Sequence, residues 1–311
     1  MTESLDVYVY GMTVLSTIHR LEGPFPPVDT YQEITETYVM PGGEAGNAAI
    51  VLGYWGLKTQ LDGCFFSETT AEPLRAYFDR YGVDCSLIPI LPGFEGWRDI
   101  VFCDGESRTV FGWFRKNLFG ERTLWTAPCE ASIAAARCVA LDPFFRGASA
   151  RVVELCVKHH TDYVTIDCHL DDAIAQNARA IVCSKEFLER EYPGVDYGDL
   201  LERYHRACRG LVIFTFGSKE MWYQTPDMPR PASLPTYPVI VQDTLAAGDT
   251  FRAGVVYGIV KGMSAEATVR FAAAAAAVCC TRFPSILEPP GLDEIAALIK
   301  ETPVLLHTMP A

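Results

Sequence analysis

One segment of the 311-residue chain concentrates residues suited to group transfer: Val241-Gln242-Asp243-Thr244-Leu245-Ala246-Ala247-Gly248-Asp249-Thr250-Phe251. Small residues at 246–248 let a ligand approach the backbone closely. The segment is expected to follow a short strand at 239–241 and to open a helix. The first amides of a helix lack intrahelical partners and sit at its positive dipole end, which makes an anion site. An acid in a first helical turn can simply stabilise that helix, so Asp249 alone says little. Beside a small-residue loop and a second acid, Asp243, it gains a chemical reading. Amides that hold charge on a moving phosphoryl group, next to a carboxylate that takes the attacking hydroxyl's proton, are the parts of a phosphoryl-transfer site.

A second constellation is Pro41-Gly42-Gly43-Glu44-Ala45-Gly46-Asn47-Ala48-Ala49. Alone it reads equally as a glycine turn with Asn47 buried at a helix start. Other chemistries lack their signatures: there is no G-x-G, Walker A, H-E-x-x-H or G-x-S-x-G sequence. The six histidines show no ligand spacing.

The elements that must position these residues alternate. A β run at 7–10 ends at Gly11, and a helix at 45–54 is closed by Gly56. A strand at 59–63 and a helix at 72–81 follow, with Gly82 in the left-handed C′ place. Further strands are expected at 138–141, 163–166 and 211–215, and helices near 150–159, 253–261 and 265–280. Short apolar strands alternating with amphipathic helices specify an α/β fold with a central mostly parallel sheet covered on both faces. Residues 12–40 and 97–116 break the rhythm. Strand 97–102, the turn Cys103-Asp104-Gly105-Glu106 and a β run at 108–114 predict a hairpin. The two segments together predict a small β sheet folded over one edge of a single domain spanning 1–311. Residues 224–238, with five prolines, read as a surface loop.

Composition narrows the classes. Acidic residues outnumber basic ones, 39 to 26, for a net charge of −13, which disfavours nucleic acid as a partner. The start of the chain is acidic and lacks a signal-peptide pattern. The longest apolar run, 271–281, is shorter than the ~20 residues a membrane helix needs. Eleven cysteines without CxxC spacing read as reduced, small apolar residues in a cytoplasmic protein.

With both constellations in hand, the chain resembles the ribokinase/PfkB carbohydrate kinase family. The segment at 243–249 resembles its D-T-x-G-A-G-D signature, and 42–49 its G-G-x-x-x-N-x-A, which binds the sugar in the family. Tyr81-Gly82-Val83-Asp84 resembles the family's G-V-D, residues 104–109 its lid hairpin, and 271–282 its alanine-rich helix beside the nucleotide. The small β sheet of 12–40 and 97–116 then corresponds to the family's β lid. Val182-Cys183-Ser184-Lys185 resembles the ketohexokinase-containing branch. The resemblance spans essentially the whole chain and implies a ribokinase-like fold. It also implies transfer of the ATP γ-phosphoryl group, with Mg2+, to a hydroxyl of a sugar or sugar-like molecule. Asp249 is then the catalytic base, and Ala246, Ala247 and Gly248 form the anion hole. Ser16, Gly42, Gly43, Glu44 and Asn47 bind the acceptor. Ser184, Thr215, Gly217, Glu220 and Gly248 face ATP. Asp243 organises the loop or a monovalent-cation site for an ion such as K+.

Four departures from the family pattern bear on substrate and nucleotide. The N-terminal G-x-x-x-x-D ends in Ser16, so a sugar-gripping carboxylate is missing there, and Glu44 is the candidate replacement. The N-x-x-E motif reads Ser184-Lys185-Glu186-Phe187. Glu220 replaces a glycine of T-x-G-x-x-G, which costs energy if that position needs positive φ. Ala246 replaces the first glycine of G-A-G-D. The lid carries Trp97, Arg98, Phe111, Trp113 and Arg115. Alternation puts Phe111, Trp113 and Arg115 on one face, and Arg98 and Arg115 are candidate contacts for an acidic acceptor. The same sheet also fits a lid-to-lid homodimer. Two rival functions remain: a nucleoside kinase stacking its base on Trp97 or Phe111, and a non-catalytic binding protein on a kinase scaffold.

Overall fold

Val7, Tyr8, Val9 and Tyr10 are all fully buried, so this run is a central strand with both faces covered. In the computed structural model, which describes residues 4–105 and 107–309, it forms β1 (Leu5–Gly11). The chain continues with β2 (Val14–Leu21), β3 (Ile34–Gly42), α1 (Glu44–Tyr54), β4 (Thr59–Gly63), α2 (Ala71–Arg80) and β5 (Val83–Asp84). Next come β6 (Arg98–Cys103), β7 (Arg108–Gly112), α3 (Phe114–Phe119), α4 (Glu130–Ala135), β8 (Ala136–Leu141) and α5 (Gly147–His159). The second half holds β9 (Asp162–Ile166), α6 (Ala173–Gln176), β10 (Ala180–Ser184), α7 (Lys185–Glu191), α8 (Tyr197–Ala207) and β11 (Leu211–Thr215). It closes with β12 (Glu220–Gln224), β13 (Ala232–Pro235), α9 (Ala247–Val260), α10 (Ala265–Cys279), α11 (Leu292–Glu301) and β14 (His307–Thr308).

The main sheet runs β14-β13-β12-β11-β10-β9-β8-β1-β4-β5. It is parallel from β11 to β5 and antiparallel at the β12–β14 edge. Alternate residues of its strands enter two cores. Val7 and Val9 pack with α1, α9 and α10 on one face. Tyr8 and Tyr10 pack with α5, α7 and α8 on the other. The parallel order reverses at β1, between β8 and β4, and such a switch point opens a ligand crevice at the strands' C-terminal ends. The second sheet, β3-β2-β6-β7, is built from the two expected lid segments. Only Met12 and Thr13 separate β1 from β2, so the lid grows directly out of the crevice.

Four sequence expectations are corrected. No strand forms at 239–241: Ile240 is 82% exposed, Pro238 removes a donor, and the amides of Gln242 and Asp243 go to the Cys280 carbonyl. The proline-rich stretch 224–238 is not all loop, because Ala232 and Leu234 are buried in β13. The hairpin's second strand stops at Gly112, where a Cβ would lie 2.4 Å from the Phe114 ring. Phe114–Phe119 is helical, so Arg115 and Lys116 do not continue the strand alternation. The helix expected at 253–261 begins at Ala247. Glu106 of the expected turn and the first three residues of the acidic start lie outside the described residues. All eleven cysteines are free, nine of them buried. Among the described residues, no helix is long and apolar enough to cross a membrane.

Candidate active site

The floor of the crevice is a charge network between β1, β8 and α9. Asp142 follows β8, and a Cβ on Gly11 would lie 2.1 Å from its Oδ2. Glycine at the end of β1 therefore lets the carboxylate approach. Asp142 Oδ2 accepts the Met12 amide at 2.7 Å, and Oδ1 accepts Arg252 Nη1, both side chains being fully buried. A second Arg252 nitrogen, Nη2, donates to the Glu44 carbonyl, and Nε has no hydrogen-bond partner. Arg252 sits three residues after Asp249 on α9, on the same helix face. The pair thus pins the first turn of α9 to the switch point.

Asp249 is reached from the other motif. Asn47, on the first turn of α1, donates to Asp249 Oδ2 at 2.7 Å, which joins two segments 202 residues apart. Burial raises the Asp249 carboxyl pKa above the ordinary value, and the nearby Asp142 charge adds to that. The Arg252 guanidinium, the Asn47 bond and Arg108 act the other way. Glu44 belongs to the same cluster: burial, then the charges of Asp142 and Asp249, push its carboxyl up to about 8.

The α9 terminus has the expected form. The Thr250 amide to the Ala246 carbonyl, at 2.9 Å, is the first helical bond. The amides of Ala247, Gly248 and Asp249 precede it. That of Ala247 makes a long 3.4 Å contact to Thr244, and the α-carbon of Gly248 faces open space. Ala246 has φ +60, the left-handed conformation in which a glycine is unstrained.

Above the floor is a pocket between the lid and α9. Ser16, Gly42, Gly43, Asn47, Asp99 and Ala246 are among its walls. A Cβ at Gly42 would lie 2.1 Å from Ser16 Oγ, and Gly43 has φ +80 with the Met12 carbonyl 2.5 Å from where its Cβ would be. Both glycines are therefore required by the close approach of β2 to the α1 start. Glu44, the expected replacement acid, does not line this pocket; its carboxyl answers to Asp142 and Asp249 instead. The acid that does line it is Asp99, paired in register with Ser16 across β2 and β6.

The expected lid cations are elsewhere. Arg98 bonds the Glu95 carbonyl at 3.0 Å and Thr69 Oγ1 at 2.7 Å, and Arg115 is exposed on α3. The lid arginine that reaches the site is Arg108, whose Nη1 lies 3.1 Å from Thr244 Oγ1. Trp97 is 2% exposed and donates to the Leu124 carbonyl at 3.2 Å, so it offers no stacking face to a ligand. Phe111 is half exposed and packs with Phe25 and Phe102.

Ser184 and Thr215 lie at the C-terminal ends of β10 and β11. Ser184 caps α7 and bonds both oxygens of Asp167, at 2.7 Å through its amide and 3.0 Å through its hydroxyl. Gly217 has φ +62, whereas Glu220 is an ordinary strand residue of β12, so the expected strain at Glu220 is absent. Asp243 is occupied by the chain itself: its oxygens accept Leu245 N at 2.8 Å and Ser285 Oγ at 2.9 Å. Among the described residues, no group of three or more His, Cys, Asp or Glu side chains could hold a metal ion.

Comparison with known proteins places this geometry. Residues 4–290 match the profile of the pfkB family carbohydrate kinases. A nucleoside kinase of Methanothermobacter thermautotrophicus is 26% identical over 292 residues, covering 89% of each chain. A proposed ribokinase from Agrobacterium tumefaciens superposes with a TM-score of 0.85 at 22% identity, over 96% of this chain and 98% of that one. An Arabidopsis thaliana ribokinase, solved with ribose and ATP, gives 0.78 at 18% identity, over 96% and 99%. These neighbours share the ribokinase-like α/β fold.

Proposed function

Because this chain belongs to the pfkB family of carbohydrate kinases, we propose that the pocket between the lid and α9 takes a small, neutral sugar or sugar-like acceptor and that ATP phosphorylates one of its hydroxyls. The observation that carries this reading is the Asn47–Asp249 hydrogen bond, which sets a carboxylate of raised pKa at the edge of the pocket. In the reaction the acceptor hydroxyl oxygen forms a bond to the γ-phosphorus. The bond from that phosphorus to the β,γ-bridging oxygen breaks, ADP leaves, and Asp249 takes the hydroxyl proton. A base whose affinity for protons is raised by burial suits that transfer. The amides of Ala247 and Gly248, with Ala246 beside them, face the charge on the moving phosphoryl group, and Arg108 adds a cation from the lid.

The nucleotide lies toward Ser184, Thr215, Gly217 and Glu220 in this reading, and Mg2+ arrives on ATP with part of its water shell. A monovalent cation such as K+ near Asp243 belongs to the same reading. Replacing K+ by tetramethylammonium tests it, and unchanged turnover removes it. Exposed Val39, Val110, Phe111 and Trp113 on the lid support a lid-to-lid homodimer, which mass measurement by multi-angle light scattering would check. A cytoplasmic setting fits the eleven free thiols.

The pocket's walls favour a neutral acceptor over an acidic one, since neither Arg98 nor Arg115 lines it. A nucleoside is the second reading, carried by the likeness to the Methanothermobacter nucleoside kinase. The test is ADP release from Mg-ATP over ketoses, aldoses, sugar acids, polyols and nucleosides, with Asp249→Asn as control. A hit abolished in the variant supports the reading. A hit that survives the variant overturns the base assignment.

A further inference from the structure

Asp99 is buried with no counter-charge beside it. It is 8% exposed, lines the pocket, and its Oδ1 has no hydrogen-bond partner. Burial raises its carboxyl pKa, opposed only by a hydrogen bond from Ser16. Among the described residues, no Lys, Arg or His lines the pocket, and Asp99 is its one charged group. A buried charged oxygen left unpaired is costly, and native proteins rarely keep one without a use. The missing donors have to come from whatever fills the pocket.

We propose that Asp99, with Ser16 beside it, is the specificity-determining carboxylate of the acceptor pocket, taking hydrogen bonds from hydroxyls of a neutral polyol and excluding anionic acceptors. The residue sits on the first strand of the lid hairpin, so the same contact holds the lid over the acceptor. An ionised carboxylate only accepts hydrogen bonds. It therefore selects ligands that donate, and two adjacent hydroxyls can each donate to it. A carboxylate or phosphate on the acceptor at that place meets like charge in a site with little water, which is strongly unfavourable. The proposal rests on the kinase reading only in naming the ligand as the phosphoryl acceptor.

The test separates the two claims by measuring binding without nucleotide. Calorimetry of the wild-type protein against ribose, fructose, inosine and 2-deoxyribose, each up to 10 mM, establishes which bind. In Asp99→Asn, affinity for the best hydroxylated ligand is expected to fall at least 30-fold. The wild-type preference for that ligand over its deoxy counterpart is expected to shrink at least tenfold. Asp99→Ala is expected to behave alike, and a melting temperature at or above wild type shows that both variants fold. Equal affinity in both variants overturns the proposal, as does failure of the wild-type protein to bind any of the four. Binding that depends on Asp99 without turnover of any acceptor leaves this inference standing and sinks the kinase reading.

Discussion

The two ends of the pocket treat buried acids differently. At the α9 end, Glu44, Asp142 and Asp249 share one guanidinium, Arg252, and Asn47 donates to Asp249. At the lid end, Asp99 has a serine hydroxyl and nothing positively charged. In the first arrangement the position and proton affinity of Asp249 are set by its neighbours in the protein, although Arg252 Nε is itself without a hydrogen-bond partner. The second leaves an oxygen unpaired until a ligand arrives. Asp249 on helix α9 is thus preorganised by the main domain, whereas Asp99 on β6 of the lid sheet has no charged partner.

The sharpest way to break the contrast is at Asp249. Removing a general base costs ~10²–10⁴ in rate, so Asp249→Asn is expected to lower kcat by that factor while acceptor affinity changes little. Steady-state kinetics beside calorimetry reads both. A variant that loses affinity and retains kcat would place Asp249 in recognition instead.

Next in size is the ion pair beneath it. Breaking a buried pair by removing one partner costs about 3–5 kcal/mol, because the other charge is left uncompensated. Arg252→Met strands Asp142, which is fully buried, and is expected to lower unfolding free energy by that amount in urea titration. The double variant Arg252→Met/Asp142→Leu should recover a large part of it. No recovery would mean that the loss lies in packing rather than charge.

Burial of Glu44 beside Asp142 and Asp249 also predicts a pH dependence. Glu44 titrates near 8 when folded, against ~4.3 for an unperturbed glutamate. Between those values the native protein holds a proton that the unfolded chain has lost, so stability falls as pH rises through that window. A decline of about 1–3 kcal/mol between pH 5 and 8.5 is expected after allowance for sharing among the cluster. Glu44→Gln should flatten most of it. Asp99 and Asp249, also raised, act in the same direction, so part of the slope should remain. A variant with the full wild-type slope would remove Glu44 from the account.

How much of this was legible in the sequence depends on where each determinant lies. The strands at 59–63 and 211–215 were readable to the residue: 211–215 is an apolar run, and Thr59-Gln60-Leu61-Asp62-Gly63 follows from the alternation after the helix closed at Gly56. Asn47 and Asp249 were singled out because their two motifs together resemble those of the kinase family, and the structure adds the hydrogen bond between them. Asp142 and Arg252 were not, although a charge inside an apolar stretch was the available signal in both Val139-Ala140-Leu141-Asp142 and Phe251-Arg252-Ala253. Their meaning is a contact across 110 residues. Asp99 was hidden for the same reason: its importance follows from register with Ser16, which no local pattern encodes. Helix α3 was missed because Phe114 and Phe119 are β-type residues and the strand before it ends on a ring contact at Gly112.

The smallest effect lies where the two ends meet, at Ala246, which lines the pocket and opens α9. Its φ of +60 costs an L-residue roughly 1–2 kcal/mol that glycine escapes. Glycine in turn gives up ~0.4–1 kcal/mol through the greater freedom of the unfolded chain. The balance for Ala246→Gly is a gain of about 0.5–1 kcal/mol in unfolding free energy. Losing the methyl also widens the wall between the acceptor and the α9 amides. If that methyl only strains the backbone, the variant is more stable with unchanged KM. If it shapes the pocket, KM for the smallest acceptors rises while larger ones gain, and Ala246 then joins Asp99 as part of the recognition end rather than the chemical one.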